Sequence, residues 1–515
     1  MYNTAELGRK IAKKEFEERE LILRQELLEV QQELLKTADF PVIIVMAGVD
    51  GAGKGATVNI LNEWMDPRWL VTSAYGKPSD EERERPSYWR FWRDLPPKGR
   101  IGLFLSAWYS KPVLDHVYKE INSNTFGRHL DRILAFEKDL VDDGAVILKF
   151  WMHLSRSAQK RRLKSLEKDP LTSWRVTDTD WKNWKLYDNF IDVGERTIMR
   201  TSTGEAPWSI VEGMDHRYAS ITVGTMIRDT IRRKLEEARV ANELKARLQT
   251  TPEPDNTAET SKEISDDSIQ GEREPPITVL SQLGMSKTLS KSSYKSQLKK
   301  YQAELNQLHR RALKKGISTL LVCEGPDAAG KGGAIRRLTA ALDARNCRVL
   351  PFAAPSDEER AHHYLWRFWR HLSRAGRITI FDRSWYGRVL VERVEEFAAE
   401  EEWRRAYAEI NDFEEQLTEH GIVLLKYWIH ISEDEQLARF KAREQTPHKR
   451  WKLTDEDWRN REKWHEYSLA VHDMVQHTST RSAPWILVEG NDKRYARVKL
   501  LKTLCSALED ALNKD

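Results

Sequence analysis

Two glycine-rich segments, each with a lysine, are the part of this sequence best suited to chemistry. The second spans 325–332 and reads GPDAAGKG; an apolar run precedes it at 319–323, and a helix-like segment follows at 334–342. In that order the glycines let backbone amides turn towards an anion, the lysine adds positive charge, and the start of the helix adds its dipole. The spacing therefore predicts a phosphate-binding loop, or P-loop.

The residue after the lysine departs from the usual pattern. A serine or threonine, which would hold Mg²⁺, is replaced by Gly332. Asp327, inside the loop, is therefore the first candidate to hold the metal. The candidate phosphate-binding residues of the loop are Gly325, Ala328, Ala329, Gly330, Lys331 and Gly332. One such loop alone would also fit a glycine-rich turn with a surface lysine.

The loop occurs twice, because GVDGAGKG at 48–55 repeats it 277 residues earlier. The same offset relates further motifs of the two halves: 79–83 and 356–360, 89–93 and 366–370, 108–109 and 385–386, 207–208 and 484–485, 217–218 and 494–495. An offset that stays constant over a domain-sized stretch predicts two copies of one domain, whereas solenoid repeats are much shorter. We predict an N-terminal copy at 1–249, a flexible acidic linker at 250–286 and a C-terminal copy at 287–515.

Composition restricts the class of protein. The chain has 515 residues, enough for two or three domains, and a formal charge of only +4, which argues against a nucleic-acid binder. Three cysteines at unrelated spacings argue against a disulfide scaffold or a cysteine zinc site and fit a reducing compartment. No apolar run reaches the length of a membrane span, and the N-terminus has no signal-peptide core. We expect a cytoplasmic protein with no membrane or nucleic-acid partner.

Apolar runs alternate with helix-like segments in each copy. In the first copy a leucine-rich helix is predicted at 8–36, and strands are predicted at 41–46, 100–105, 145–152 and 208–211. The second copy restarts with its own helix at 287–314. Alternating β and α elements predict an α/β fold with a parallel sheet covered on both faces.

A second acidic residue ends the strand predicted at 377–381. An acid such as Asp382, at the end of a strand beside a P-loop, is the usual second Mg²⁺ anchor of phosphate-transferring sites. Arg383 and Arg388 follow closely, and guanidinium groups neutralise transferred phosphoryl oxygens. The alternative role of Asp382 is to cap a helix or a turn.

Two basic segments fit either phosphate binding or a structural role. The stretch 447–452 reads PHKRWK between helix-like segments and predicts a cationic loop in a lid that excludes water. A solvated basic surface is the alternative. In WRFWR at 366–370 packing is favoured for the two tryptophans. The candidate phosphate contacts in the two segments are Lys449, Arg450, Lys452, Arg367 and Arg370.

Together these motifs resemble the family-2 polyphosphate kinases, and the likeness extends over both halves. It is carried by 325–332, SDEE at 356–359, WRFW at 366–369, DRSWYGR at 382–388 and KRWK at 449–452. The resemblance implies a thymidylate-kinase-like P-loop fold of three α/β/α layers with a helical lid. It also implies Mg²⁺-dependent phosphoryl transfer between inorganic polyphosphate and a nucleotide, with Mn²⁺ as an alternative ion.

The resemblance also assigns roles to the candidate residues. Asp327 and Asp382 would hold the metal, Lys331 with Arg383 and Arg388 would steady the transferred group, and the lid cations would bind polyanion or nucleotide. The duplicated architecture is similar to the subgroup that phosphorylates AMP to ADP.

The first copy departs from the motifs at the residues on which this chemistry depends. At the same offset Leu105 replaces Asp382, and Ser106 replaces Arg383. At the positions of the lid residues 448–450 the first copy has LTS, at 171–173. Asp50 and Lys54 remain. A leucine cannot hold Mg²⁺, and losing one transition-state contact costs roughly 3–4 kcal/mol. We predict transfer only in the second copy, with a structural, regulatory or polyphosphate-guiding first copy.

Three other functions stay open on sequence alone. The chain could phosphorylate nucleoside diphosphates, could be an ATP-dependent nucleotide kinase of the same fold, or could bind polyanions without turnover. Donor choice with AMP fixed as acceptor separates the kinase alternatives. We also expect a homodimer, because exposed N-terminal helices often pair.

Overall fold

The computed structural model describes residues 1–250 and 277–514; the side chains at 245, 248–250, 448, 449 and 452 lie outside the described part. The chain divides into two compact units, one built on the sheet of each copy. Most of the predicted linker, 251–276, is outside the described residues. The exact boundaries of the copies stay a prediction.

Each copy contains a five-stranded sheet. The strands are β1 (Val42–Gly48), β2 (Leu70–Ala74), β3 (Ile101–Leu105), β4 (Val146–His153), β5 (Trp208–Glu212), β6 (Thr319–Glu324), β7 (Cys347–Pro351), β8 (Ile378–Asp382), β9 (Val423–His430) and β10 (Trp485–Glu489). The spatial order is β2-β3-β1-β4-β5 in the first copy and β7-β8-β6-β9-β10 in the second. All pairings are parallel. The two sheets therefore have the same topology.

Helices connect the strands in both copies. Those of the first are α1 (Lys13–Thr37), α2 (Lys54–Trp64), α3 (Asp80–Arg83), α4 (Trp89–Arg93), α5 (Ser110–Val117), α6 (Ser123–Asp142), α7 (Arg156–Lys168), α8 (Asp178–Lys185), α9 (Tyr187–Thr201) and α10 (His216–Thr250). Those of the second are α11 (Lys291–Lys315), α12 (Lys331–Thr339), α13 (Asp357–Arg360), α14 (Trp366–Trp369), α15 (Val391–Val394), α16 (Glu400–Glu419), α17 (Glu433–Glu444), α18 (Asp455–Glu462), α19 (Trp464–Thr478) and α20 (Lys493–Leu512). Short 3-10 helices lie at Tyr2–Ala5, Pro67–Trp69, Ser173–Arg175, Trp385–Val389 and Pro447–Lys452.

Strand β9 shows how a sheet is covered on both faces. Its alternate residues Leu425, Tyr427 and Ile429 join the core formed with α11, α12 and α20. On the opposite face Lys426 Nζ donates to Glu414 Oε2 of α16 at 2.7 Å. Successive side chains of a strand point to opposite faces, so the two sets require helices on both sides. The predicted α/β class and the duplication are thus confirmed.

Sequence reasoning missed the edge strands β2 and β7. Both are half exposed, and neither contains a continuous apolar run. The segment 447–452 was predicted as an irregular loop, but it forms a 3-10 helix. Leu280 lies in the predicted linker yet is buried, because 277–280 is an apolar stretch inside a polar segment.

Within the described residues, no helix is long and apolar enough to cross a membrane.

Candidate active site

The P-loop of the second copy lies between β6 and α12, as predicted. Gly325 has φ +149°, and a Cβ at this position would lie 2.4 Å from the carbonyl oxygen of Ile429 in β9. Only glycine therefore fits this close approach. Lys331 begins α12, and its Nζ donates to the carbonyl oxygens of Gly325 at 2.5 Å and Pro326 at 3.4 Å. The lysine side chain thus folds back onto the backbone at the start of its own loop.

Asp327 is held by three side chains, one from the turn after β8 and one each from α17 and α18. Arg383 Nη2 donates to its Oδ1 at 3.3 Å, and Asn460 Nδ2 of α18 donates to its Oδ2 at 2.9 Å. Gln436 Nε2 of α17 donates to its backbone oxygen at 3.1 Å. The helical lid, which we define as 433–462, therefore contacts the P-loop through α17 and α18.

Asp382 is the last residue of β8, and it pairs with Cys323 of β6 in the parallel ladder. It therefore lies at the carboxyl edge of the sheet, next to the strand that leads into the P-loop, where open α/β sheets bind their ligands. Arg383 follows with φ +68°, a left-handed conformation rare for a residue with a side chain. Such backbone strain is concentrated at functional sites.

A cleft of about 790 Å³ opens over the P-loop. Residues 327–333 form its floor, together with Asp382 and Arg383. The further cationic residues lining it are Arg336, Arg439, Arg443, Lys493 and Arg497. With Lys331 and Arg383, seven cationic residues among the described side chains line this cleft, against four acids: Asp327, Asp382, Glu456 and Asp457. This charge distribution is suited to an extended polyanion.

A second cavity lies on the other side of Asp327 and Lys331. Its apolar walls include Leu280, Leu390, Val391, Trp428, Trp464 and Val471. Gly325, Asp327, Lys331 and Arg383 also line it. An apolar cavity with a few polar groups converging at one end is typical of a small-molecule site. The cleft and the cavity share four charged side chains, which are Asp327, Lys331, Arg383 and Glu456.

Two titratable residues of this cavity were not predicted from the sequence. Glu324, the last residue of β6, accepts a hydrogen bond from Ser384 Oγ at 2.8 Å, and burial raises the pKa of its carboxyl against the opposing effect of Lys331. Burial lowers the pKa of His430 to about 4, so this imidazole is neutral near pH 7. Each is the last residue of its strand, and this position could have indicated that Glu324 and His430 lie at the site.

The five further cations of the cleft, Arg336, Arg439, Arg443, Lys493 and Arg497, were also missed, together with Asn460. The sequence carries one signal that could have found several of them. Arg336, Arg443 and Arg497 are arginines where the first copy, 277 residues earlier, has Asn59, Leu166 and Ser220.

Four predicted arginines are not brought to the cleft or the cavity. Arg367 pairs with Glu359 at 3.2 Å, Arg370 with Glu358 at 3.1 Å and Arg388 with Glu392 at 3.3 Å. Arg450 Nε donates to the carbonyl oxygen of Glu444 at 2.6 Å. Their role in phosphate binding stays a prediction that this geometry does not support. The side chains of Lys449 and Lys452 lie outside the described residues.

The tryptophans of α14 pack as expected. Trp366 and Trp369 are buried, and Trp369 meets Phe413 edge to face with ring centroids 4.8 Å apart. Arg370 lies over the Trp366 ring at 4.4 Å. The segment thus contributes to the core, and the interpretation as helix packing holds for both rings.

The residues present fit a hydrated divalent cation held jointly with a substrate. Among the described residues no group of three or more His, Cys, Asp or Glu side chains is placed to hold a metal. Mg²⁺ does not require one, because it keeps several waters and is usually bound by one or two carboxylates together with substrate phosphates. Asp327 and Asp382, both lining the cleft, supply that number of carboxylates.

Parallel sheet, P-loop, helical lid and cation-lined cleft together define a P-loop phosphotransferase. A family model described as polyphosphate kinase 2 matches residues 10–239 and again 288–515. The chain belongs to the polyphosphate kinase 2 family. The resemblance seen in the motifs is thereby confirmed, and it covers both copies.

Similar proteins match this chain over nearly its whole length. The chain is 49% identical over 515 residues to a protein of Pseudomonas aeruginosa named polyphosphate:AMP phosphotransferase, covering 100% of both chains. It is 36% identical to a protein of the same name from Acinetobacter johnsonii, covering 95% of this chain and 96% of that one. A crystal structure described as a polyphosphate kinase 2 from Pseudomonas aeruginosa matches it with a TM-score of 0.86 and 46% identity over 100% of both chains.

Proposed function

We propose that this protein transfers the terminal phosphoryl group of inorganic polyphosphate to AMP, giving ADP. The observation that carries the proposal is the end-to-end match to duplicated relatives named polyphosphate:AMP phosphotransferase. A relative named ADP-polyphosphate phosphotransferase, from Pseudomonas aeruginosa, matches only 42% of this chain. The two-copy architecture therefore favours AMP over a nucleoside diphosphate as the acceptor.

The second copy has the two binding regions that this reaction needs. The cation-lined cleft suits the polyphosphate donor, since closely spaced guanidinium and ammonium groups offset its charge. The apolar cavity suits the nucleoside of AMP, with its phosphate directed to Lys331 and Arg383. Donor and acceptor phosphates would then meet at the P-loop, where both regions converge.

The residues of the P-loop would act mainly by position and charge. Lys331 and Arg383 would stabilise the negative charge on the transferred group. Asn460 would keep the Asp327 carboxylate oriented, and the lid would exclude water so that transfer to AMP outcompetes hydrolysis. The attacking oxygen of AMP is already anionic near neutral pH, so no general base is needed.

We assign the metal to Asp327 and Asp382, with Mg²⁺ as the ion and Mn²⁺ as an alternative. When bound, such an ion neutralises charge on phosphate oxygens and helps to align donor and acceptor. In the first copy Leu105 replaces the second carboxylate. We therefore assign transfer to the second copy alone. The predicted homodimer and cytoplasmic location stay predictions.

The test is ADP formation from AMP, polyphosphate and Mg²⁺ by the intact chain, Asp382→Asn and Asp50→Asn. We expect Asp382→Asn to lose about 10²–10³ in rate, the usual effect of removing one transition-state electrostatic contact. Asp50→Asn should keep nearly full activity. Equal losses in both variants would mean that the first copy also takes part.

Changing the donor separates the remaining alternatives. If the intact chain forms ADP only when ATP replaces polyphosphate, it is a nucleotide kinase of the same fold. If ADP is phosphorylated much faster than AMP, the acceptor is a nucleoside diphosphate. Polyphosphate binding without turnover of AMP or ADP would identify a polyanion-binding protein.

A further inference from the structure

A buried polar pair lies beneath the turn that carries Asp382. Ser384 Oγ donates to Glu324 Oε1 at 2.8 Å and accepts a hydrogen bond from the backbone N–H of Tyr386 at 3.3 Å. Glu324 and Ser384 are each only 5% exposed, and Tyr386 is fully buried. The three groups form a short chain of hydrogen bonds, and Glu324 at its end also lines the apolar cavity.

This pair connects the two structural elements that meet at the site. Glu324 ends β6 and directly precedes the P-loop, whereas Ser384 follows Asp382 and Arg383 after β8. Apart from the Glu324–Ser384 bond, the turn is joined to β6 by the N–H of Arg383, which donates to the carbonyl oxygen of Cys323 at 3.2 Å. The Glu324 side chain thus links β6, the strand that leads into the P-loop, directly to the turn after β8.

The first copy lacks both members of the pair. Ala47 stands at the position of Glu324, and Ala107 at that of Ser384. The turn nevertheless keeps its shape, because Ser106 has φ +56° and its N–H donates to the carbonyl oxygen of Met46 at 3.3 Å. The fold does not need the pair. It is present in the copy that also has the charged residues Asp382 and Arg383.

We propose that Glu324 is a positioning residue for phosphoryl transfer, which through Ser384 fixes the turn that presents Asp382 and Arg383. This inference rests on the proposed function of the second copy. The turn carries opposite charges and a strained Arg383 backbone, so small shifts would misplace both functional groups. Supporting groups behind functional side chains typically change activity 10–100-fold when they are removed.

The test compares Glu324→Ala, Glu324→Gln, Ser384→Ala and the double variant Glu324→Ala/Ser384→Ala in the full chain. We expect both alanine variants to lower kcat about 10–100-fold with little change in the KM for AMP. The double variant should be no worse than the poorer single one, because the two residues act as one unit. Glu324→Gln should restore most of kcat, since its amide oxygen can accept the Ser384 hydrogen.

Thr503→Ala is the control for loss of a partly buried hydrogen bond elsewhere in the same copy. Thr503 Oγ1, in α20, donates to the carbonyl oxygen of Lys499 at 2.9 Å. This variant should lower the melting temperature while kcat stays unchanged. If Glu324→Ala behaves in the same way, its role is structural and the inference fails.

Two other outcomes would overturn the inference. Multiplicative losses in the double variant would show that the residues act separately, and loss of kcat in Glu324→Gln equal to that in Glu324→Ala would show that the carboxyl acts directly. Assaying the wild-type protein alongside distinguishes the test of Glu324 from the test of the proposed function. If it forms no ADP from AMP and polyphosphate, the proposed function fails; if it is active, only the role of Glu324 is at stake.

Discussion

The two copies share a fold but differ sharply in the charge around their P-loops. The seven cationic residues that line the cleft of the second copy are Lys331, Arg336, Arg383, Arg439, Arg443, Lys493 and Arg497. The same positions of the first copy hold Lys54, Asn59, Ser106, Arg162, Leu166, His216 and Ser220. Two of the seven keep a permanent cation. Five of the seven cleft cations therefore have no permanently charged counterpart in the first copy.

The two cations that remain have structural partners in both copies. Lys54 Nζ donates to the carbonyl oxygen of Gly48 at 2.6 Å, as Lys331 does to that of Gly325. Arg162 donates to the carbonyl oxygen of Gly213 at 3.4 Å, matching Arg439 and Gly490 at 2.6 Å. Lys54 and Arg162 of the first copy thus keep the backbone contacts that Lys331 and Arg439 make in the second.

The apolar cavity differs as well. In the first copy Tyr2 stacks on His153, the counterpart of His430, with ring centroids 4.4 Å apart and planes at 9°. His153 Nε2 also lies 2.7 Å from Glu6 Oε1. In the second copy His430 lines the open cavity. In the first copy the N-terminal segment thus covers His153, whereas in the second copy the equivalent His430 is open to a ligand. This difference favours a non-catalytic first copy.

Where the copies are alike, equal substitutions should have equal effects. Lys149 pairs with Glu137 and Lys426 with Glu414, each at 2.7 Å and each fully buried. Replacing one partner leaves a buried acid uncompensated, so Lys149→Met and Lys426→Met should each cost about 3–5 kcal/mol of unfolding free energy. Urea unfolding followed by circular dichroism measures the loss.

The exposed pair of Lys138 and Asp142 provides the control for the buried pairs. Lys138→Met should cost at most about 1 kcal/mol, because surface ion pairs are screened by solvent. A large loss in only one of the two buried variants would show that the two networks do not contribute equally to stability.

The pH dependence of stability should depend on His430. Its pKa falls from 6.5 to about 4 on folding, because burial opposes the charged form. The unfolded chain therefore takes up a proton that the folded chain does not, and stability falls as pH drops from about 6.5 towards 4. At 1.36 kcal/mol per pH unit this loss reaches about 2 kcal/mol at pH 5.

His430→Gln should remove that part of the acid sensitivity, which urea unfolding at pH 7 and pH 5 would measure. His465→Gln, at an exposed position of α19, is the control and should retain the wild-type loss. Identical pH profiles for wild type and His430→Gln would indicate that folding does not lower the pKa of His430.

The sequence predicts the parts of the site that depend on backbone geometry. The P-loop could be found from its glycines because Gly325 has to approach β9 too closely for any side chain. Asp382 could be found because it follows an apolar strand, and the ends of parallel strands share one edge of a sheet. The duplication and fold class follow from the regular offset and the alternation of elements.

The cleft cations outside the P-loop and the β8 turn could not be predicted in the same way. Lys493 and Arg497 lie on α20, far along the chain from the P-loop, and an arginine on a helix usually has no ligand. Conversely, Arg388 lies in a motif with Asp382, yet an acid four residues on, Glu392, pairs with it. Sequence proximity gives the element that a side chain occupies, but the direction of the side chain depends on its packing and ion pairs.

Removing one cation of the cleft should weaken donor binding without affecting the acceptor. Arg497→Ser reproduces the residue of the first copy, Ser220, and should raise the KM for polyphosphate about tenfold, since a hydrogen bond to a charged group is worth about 1.5–3 kcal/mol. The KM for AMP should stay constant. Steady-state kinetics with each substrate varied in turn measures both.

Lys502→Ser removes an exposed cation from the same helix and should leave both KM values unchanged. The difference between the variants should shrink at high salt, because added ions screen the lost attraction. An equal rise for both substrates in Arg497→Ser would place the residue at the acceptor instead of the donor.

The smallest expected effect concerns a hydrogen bond that both copies have kept. Asn460 Nδ2 donates to Asp327 Oδ2 at 2.9 Å, and Asn183 Nδ2 donates to Asp50 Oδ2 at 2.7 Å. Asn460→Ala should lower the rate of ADP formation about tenfold, because it frees a carboxylate that the chemistry needs in one orientation. Asn183→Ala should leave the rate unchanged, although the contact it removes is shorter. Since the two substitutions delete the same bond from the same scaffold, their difference isolates catalysis from folding; equal losses in rate would show that the first copy contributes to the reaction despite its missing charges.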